Sequence, residues 1–150
     1  MTHADPNEES TGSIAKLPLA AAFVALVGLA DSVYLTVHHL TAEPVPCSLI
    51  SGCETVLTSS YAEIAGAPLA AFGAVAYFVA FSLAILAAFG NRLMWMAFGA
   101  QVVLMAAVTA WLLYLQAFVI GAFCQFCLLS AITTFTMLVI FVVSRLSRFR

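Results

Sequence analysis

Charged residues are scarce in this chain. Only 8% of its 150 residues are charged and 64% are hydrophobic, whereas a soluble domain carries about 25% charged residues. A water-soluble core of this size could not bury so much apolar surface, so lipid must solvate part of it. The shortage of charge therefore excludes an ordinary soluble domain.

Basic clusters and nucleotide-binding motifs are absent as well. The five Lys and Arg residues and the net charge of −2 provide no basic stripe of the kind that binds nucleic acid. No Gly-x-Gly-x-x-Gly motif follows a strand pattern, so nothing predicts a nicotinamide cofactor. We expect the lipid bilayer, and no nucleic acid, as a partner.

Four long apolar runs are present instead. About 20 apolar residues span a bilayer, and the runs cover residues 17–37, 68–89, 93–118 and 124–143. We predict an all-α integral membrane protein, a four-transmembrane-helix bundle, with Trp95 at a membrane interface. Gln101 and Gln116 are expected to pair across helices, or Gln116 to lie at the far interface. The first run is too long for a secretory signal, so we interpret it as an uncleaved helix.

Cysteine is restricted to four residues, which form two pairs next to apolar runs. Cys124 and Cys127 make a Cys-x-x-Cys motif at the start of the fourth run, and Cys47 and Cys53 precede the second. Such a motif at a helix N-terminus favours redox chemistry, because the first thiol is acidified and the second resolves a mixed disulfide. Leu128 stands where a haem-attachment motif needs His. A lipid-soluble quinone is then the simplest electron acceptor.

Two other uses of the four cysteines stay open. They could hold a structural zinc ion, but the Cys-x5-Cys spacing is loose for such a site, and we expect no metal. They could also form two structural disulfides without redox activity.

The connection at residues 41–67 is predicted to carry a short amphipathic helix over the bundle mouth. Ser51 and Glu54 form a capping-box pattern, with Ser51 as the N-cap. Apolar residues then recur at helical spacing: Val56, Leu57, Tyr61 and Ile64. This helix would place Cys53 in its first turn, where the helix dipole favours a thiolate.

Asp31 lies inside the first apolar run, where a charge costs about 2.5–3.5 kcal/mol at mid-membrane. We expect it to face the bundle interior or the interface. It is either a proton-handling or pocket-shaping carboxylate, or a hydrogen-bond partner of Ser32 or Tyr34. His38 and His39 end the run; we interpret them as interfacial polar residues, with metal binding or proton transfer as the alternative.

Several segments together resemble the bacterial vitamin K epoxide reductase family. The likeness covers about residues 17–143. The segments are Cys47, Cys53-Glu54-Thr55-Val56-Leu57-Thr58-Ser59-Ser60-Tyr61, Gly66-Ala67-Pro68 with Phe72-Gly73, and Cys124-Gln125-Phe126-Cys127. The resemblance implies a four-helix bundle around a quinone, ubiquinone or menaquinone, capped by the outer loop.

The same resemblance implies residue roles and a partner. Cys47 and Cys53 would be the shuttle pair, and Cys124 and Cys127 the pair next to the quinone. Ser59 matches a Ser or Thr that hydrogen-bonds a quinone oxygen. Many bacterial members continue into a thioredoxin-like domain and this sequence does not. The implied partner is therefore a separate secreted thioredoxin-fold thiol oxidase, which the protein would reoxidise in support of disulfide-bond formation.

Two departures from the family pattern bear on the substrate. Ala131 stands where animal members carry a Tyr, and their headgroup-binding Asn has no counterpart that we can place. Both departures favour a quinone over an epoxide. A thiol-driven vitamin K quinone or epoxide reductase, and a membrane protein with structural disulfides only, are the alternatives.

The basic residues predict the orientation in the membrane. We expect a disordered tail at residues 1–15, a membrane domain at 16–144 and a basic tail at 145–150. Four spans place both tails and the turn at 90–92 on the same side of the membrane. That side holds all five basic residues: Lys16, Arg92, Arg145, Arg148 and Arg150. Because positive residues stay inside, both termini should be cytoplasmic, and the cysteines should face the periplasm or the cell exterior.

This orientation predicts which side of the membrane exposes Cys47. After reduction, a membrane-impermeant thiol reagent should label Cys47 in intact cells or spheroplasts, since the 41–67 connection would face outward. Labelling seen only in inverted vesicles would show that the orientation is reversed.

Overall fold

Four long helices form the protein in the computed structural model, which describes residues 6–150, with side chains from Lys16 onward. The helices are α1 (Pro6–Thr41), α3 (Leu69–Ala88), α4 (Arg92–Tyr114) and α5 (Gln125–Ser147). Four segments are long and apolar enough to cross a membrane: Lys16–Thr41, Leu69–Ala88, Arg92–Ile120 and Gln125–Ser147. The predicted all-α four-helix bundle is confirmed.

The first helix is longer than the sequence indicated. It begins at Pro6 and includes residues 6–15, where we predicted a disordered tail. Extending a helix that already exists costs far less than nucleating a new one, so a polar segment joined to a stable span can continue it. The part of the prediction that concerns residues 1–5 lies outside the described residues.

α1 packs most extensively against α3. Small buried residues let the two backbones approach closely, as is usual between membrane helices; they are Ala21, Ala22 and Ala25 on α1 and Ala80, Ala84 and Ala87 on α3. At Gly28 a Cβ atom would overlap the ring of Tyr77. The absent side chain therefore makes room for the Tyr77 ring.

Tyr77 joins α3 to α5 by hydrogen bonds in the bundle core. Its hydroxyl lies 2.7 Å from Thr133 Oγ1, 2.8 Å from Thr134 Oγ1 and 2.9 Å from Ser130 Oγ. Lipid supplies no competing partner, so such groups must be satisfied inside the bundle. Thr133 and Thr134 thus make the helix contacts expected of polar residues in a span.

Trp95 was predicted at the membrane interface, but it is buried in the bundle. Its indole N–H donates to Ser144 Oγ at 2.9 Å, and its ring stacks on Phe98 with centroids 4.9 Å apart. An indole N–H that is hydrogen-bonded inside the protein does not need a partner at the membrane surface. The position of Trp95 relative to the membrane stays a prediction, whereas its hydrogen-bond partner on α5, 49 residues along the chain, was not indicated by the sequence.

The connection between α1 and α3 forms a small cap. It contains a one-turn helix, α2 (Cys53–Leu57), and two short antiparallel strands, β1 (Glu63–Ile64) and β2 (Ala67–Pro68). Glu63 pairs with Pro68, and Ile64 pairs with Ala67. Gly66 lies in the turn with φ of +81°, a conformation natural to glycine.

The cap differs from the predicted amphipathic helix in two ways. Gly52, rather than Ser51, is the N-cap of α2, and no side chain caps the helix. α2 also ends at Leu57, so Tyr61 and Ile64 do not continue its face, and Ile64 is exposed in β1. The predicted position of Cys53 in the first helical turn is nevertheless observed.

Candidate functional site

The two cysteine pairs meet at one end of the bundle. Cys47 and Cys53 are joined by a disulfide, with Cα atoms 6.2 Å apart, while Cys124 and Cys127 are free. Cys53 and Cys124 are both buried in one cluster, and Cys47 and Cys127 pack against it. All four sulfur atoms therefore belong to one local site, although the pairs are separated by two membrane spans in the sequence.

A backbone contact at Gly52 brings the cap onto the bundle. A Cβ atom at Gly52 would lie 2.5 Å from the carbonyl oxygen of Phe123 and 2.9 Å from its nitrogen. No side chain larger than hydrogen fits there without moving one of the two backbones. The contact joins the residue before Cys53 to the residue before Cys124, which is why these two cysteines are neighbours.

Two glutamines hold the segment around Cys124. The Gln125 side chain accepts a hydrogen bond from the Leu49 N–H at 3.0 Å, which ties the cap to the start of α5. Gln116 Oε1 accepts from the Cys124 N–H at 3.3 Å. Gln116 is buried and pairs with the Cys124 backbone instead of Gln101, while its position relative to the membrane interface stays a prediction.

Gln116 reaches Cys124 because α4 does not end as a regular helix. Residues Leu115–Ile120 form a π-helical turn, and Gly121 ends it with φ of +68°. Wide turns of this kind are frequent at functional sites. In the sequence, Gln116 stands out only as an amide inside an apolar run. Its partner, the Cys124 N–H, could not be identified without the wide turn.

The Cys124 thiol is acidified by its neighbours. Hydrogen bonding from the Cys127 side chain, together with the backbone N–H groups of Cys127 and Phe126, outweighs burial and lowers the pKa of Cys124 to about 7. Cys124 precedes the first residue of α5 as its N-cap. A substantial fraction of this thiol is therefore thiolate, the nucleophilic form, at neutral pH.

A cavity adjoins the cysteine cluster. It has a volume of about 150 Å³, comparable to a cavity that binds one benzene ring. The walls are mostly apolar, with a few polar groups, and come from the cap and all four long helices. Cys127 is part of the wall; other lining residues include Asp31, Leu35, His39, Val56, Ser59, Tyr61, Thr109, Leu112, Gln116 and Ser130.

The residues singled out from the sequence divide between the cavity wall and the cysteine cluster next to it. Cys127, Ser59 and Asp31 line the cavity, whereas Cys124 and Cys53 lie in the adjacent cluster. The Ser59 hydroxyl donates to the Val56 carbonyl at 2.7 Å. Its two lone pairs stay available to accept, and the hydroxyl can rotate to donate elsewhere.

Asp31 is buried at the cavity wall, with 7% of its surface exposed. Neither of its carboxyl oxygens has a hydrogen-bond partner among residues 16–150. The alternative in which Asp31 is a hydrogen-bond partner of Ser32 or Tyr34 is therefore not what the structure shows. The other alternative from the sequence, a proton-handling or pocket-shaping carboxylate, stays a prediction.

The histidines at the end of α1 have different surroundings. His39 lines the cavity, and its Nε2 lies 2.9 Å from Glu63 Oε1 in β1. The His38 ring packs on Tyr34, with centroids 4.4 Å apart. His39 thus connects α1 to the cap at the cavity, a role that the sequence did not indicate because the pairing spans 24 residues.

Four membrane spans, a cysteine-bearing cap and a ring-sized cavity define a multi-pass membrane protein with a candidate redox site. A family model described as the vitamin K epoxide reductase family matches residues 19–142. The chain belongs to this family, which confirms the resemblance noted in the sequence. Proteins of this family are membrane oxidoreductases associated with quinones.

The hydrogen bond from Cys127 predicts how the Cys124 thiol titrates. In reduced protein carrying Cys47→Ala and Cys53→Ala, the first midpoint of ultraviolet thiolate absorbance should lie at pH about 7. Cys127→Ala removes the donor and should move the midpoint towards that of an ordinary thiol, roughly 8.5. Cys127→Ser, which keeps a hydroxyl donor, is the matched control. An unchanged midpoint in Cys127→Ala would contradict the assigned cause.

Proposed function

We propose that the protein is a membrane thiol–quinone oxidoreductase that reoxidises a secreted thioredoxin-fold disulfide donor. One observation carries the proposal: the free pair lies between the outer disulfide and the cavity. Cys124 shares the buried cluster of Cys53, and Cys127 lines the cavity. Electrons entering at the cap therefore have a short path through thiols to any molecule in the cavity.

The proposed relay consists of balanced thiol–disulfide exchanges. The partner's dithiol attacks Cys47, reduces the outer disulfide and leaves as a disulfide itself. Cys53 then attacks Cys124 of an inner disulfide, Cys127 leaves as a thiolate, and Cys47 resolves the mixed bond. The outer pair is oxidised again and the inner pair carries two electrons.

The pairing in the structure corresponds to the state at the end of this exchange. Cys47 and Cys53 are bonded, and Cys124 and Cys127 are free thiols. The remaining step passes two electrons to a quinone, which becomes a quinol. A structural role for both disulfides would instead require the inner pair to be bonded.

The cavity suits a quinone headgroup in size and chemistry. Its volume of about 150 Å³ matches one six-membered ring, and few polar groups interrupt its apolar wall. We assign Ser59 and Asp31 to the quinone site, and Ser59 as the donor to a quinone oxygen. Ubiquinone and menaquinone share this ring and both remain candidates.

The proposed location is the inner or plasma membrane, with both termini in the cytoplasm. Among residues 16–150, every Lys and Arg lies in or next to the ends of the bundle opposite the cap. The acidic residues Glu43, Glu54 and Glu63 belong to the cap segment. This asymmetry supports a cap that faces an oxidising compartment, where a disulfide persists.

The order of the relay can be tested by removing one resolving thiol at a time. Cys127→Ala should accumulate a Cys53–Cys124 bridge, because Cys127 is no longer present to displace Cys53 from Cys124. Cys53→Ala should accumulate a bridge between Cys47 and the partner. Peptide mass spectrometry under non-reducing conditions identifies the bonds, and quinone reduction by the unmodified protein is measured in parallel.

Two outcomes would contradict the relay. A Cys47–Cys124 bridge in Cys127→Ala, with Cys53 free, would reverse the roles of the outer pair. The absence of a mixed disulfide from every single variant, with no quinone reduction, would favour structural disulfides. Cys124→Ala is the control, since it should form no bridge to Cys53.

The Ser59 hydroxyl should contribute to quinone reduction. A neutral hydrogen bond is worth about 0.5–1.5 kcal/mol net, so Ser59→Ala should slow turnover roughly three- to tenfold. Ser60→Ala is the matched control, because Ser60 is exposed beside Ser59 and does not line the cavity. Unchanged turnover and unchanged quinone affinity in Ser59→Ala would exclude this role.

A further inference from the structure

The Asp31 carboxyl is buried at the cavity wall without a hydrogen-bond partner in the described part of the chain, which a structural role does not explain. It is 7% exposed, lines the cavity and has no hydrogen-bond partner on either oxygen among residues 16–150. Buried polar groups in folded proteins are nearly always hydrogen-bonded. An unpartnered carboxyl at a cavity wall therefore points to a partner that occupies the cavity during function.

The wall around Asp31 supplies no balancing charge. None of the lining residues is Lys or Arg, and the one imidazole, His39, is already paired with Glu63. An unpaired ionised carboxylate in such surroundings costs several kcal/mol. The acid form, which carries a proton, avoids that cost and is the form suited to face an empty apolar cavity.

We propose that Asp31 is the proton donor to the quinone, supplying the proton that the Cys124–Cys127 pair lacks. This inference rests on the proposed quinone reduction. Quinone reduction to quinol needs two electrons and two protons. The inner pair brings both electrons, but it holds only one proton when Cys124 is a thiolate and Cys127 a thiol.

The step balances with Asp31 as the second acid. The Cys124 thiolate, the Cys127 thiol, the Asp31 acid and one quinone give the Cys124–Cys127 disulfide, the Asp31 carboxylate and one quinol. The sulfur–sulfur bond forms as the thiol proton and the carboxyl proton move to the two quinone oxygens. The net charge is −1 on both sides.

The next exchange restores the donor. The outer dithiol carries two protons, and its oxidation leaves one of them on Cys127 and releases the other. The Asp31 carboxylate accepts this released proton, so a full cycle transfers two protons from the partner's dithiol to the quinol. No proton from the cytoplasmic side is required.

His39, the other titratable side chain of α1 that lines the cavity, is too far from Asp31 to act in its place. His39 follows Asp31 by eight residues, which is about 12 Å along the helix axis at 1.5 Å per residue. Direct proton transfer needs donor and acceptor within about 3 Å. A quinone oxygen within reach of Asp31 is therefore out of reach of the His39–Glu63 pair, and Asp31 is the one carboxyl among the described residues that line the cavity.

Asp31→Asn tests the proposal, because it keeps the shape of the side chain and removes the acidic proton. General acid catalysis contributes about 100-fold or more, so kcat should fall about 100-fold with the KM for quinone unchanged. The full-length protein in lipid nanodiscs is assayed with dithiothreitol and a short-chain ubiquinone. During turnover Cys124 and Cys127 should accumulate in the reduced state, as measured by alkylation and mass spectrometry.

Two further variants separate proton donation from the shape of the cavity. Asp31→Glu keeps an acid and should retain kcat within about tenfold of the unmodified protein. Thr136→Val removes a hydroxyl at nearly constant volume from an exposed position outside the cavity wall and should leave kcat within about twofold. A pocket-shaping role for Asp31 would raise KM instead of lowering kcat.

The outcomes are distinct for the two proposals. A normal kcat in Asp31→Asn, or a raised KM with a normal kcat, would overturn the proton-donor role while the quinone reductase proposal stands. Failure of the unmodified protein to reduce quinone would overturn the proposed function itself.

Discussion

The contact between Gly52 and the Phe123 backbone is the constraint on which the site depends. It allows the cap and the start of α5 to approach until a hydrogen atom fills the space between them. Cys53 and Cys124 follow these two residues directly, so the same contact makes them neighbours. If a side chain at residue 52 held the cap away from α5, Cys53 and Cys124 would be too far apart for thiol–disulfide exchange.

The membrane explains why a few polar side chains connect the helices of this bundle. A polar side chain inside lipid must find its partner within the protein, and Tyr77, Trp95 and Gln116 each do so across helices. These pairs join α3 and α4 to the segment that contains Cys124 and α5. Among residues 16–150, both carboxyl oxygens of Asp31 and Nδ1 of His38 are buried without a hydrogen-bond partner. Of these two residues, Asp31 lines the cavity with Cys127.

The predictions from sequence succeeded where the signal was long and failed where it was short. Runs of about 20 apolar residues locate spans reliably because lipid selects them by composition alone. The capping box at Ser51 and the helical spacing through Ile64 involved only a few residues, and each was wrong. There, close packing at Gly52 and the turn at Gly66 override the local preference.

The sequence by itself determined the membrane bundle, the number of spans, the family and the four cysteines, because hydropathy and motif spacing are properties of the chain. The tertiary structure decided which side chains share the cavity. Ser59, Asp31, Gln116 and Cys127 come from the cap and three helices, and only packing brings them together. The positions of these residues along the chain do not indicate that they share a cavity, because the wide turn after α4 and the contact at Gly52 bring them together.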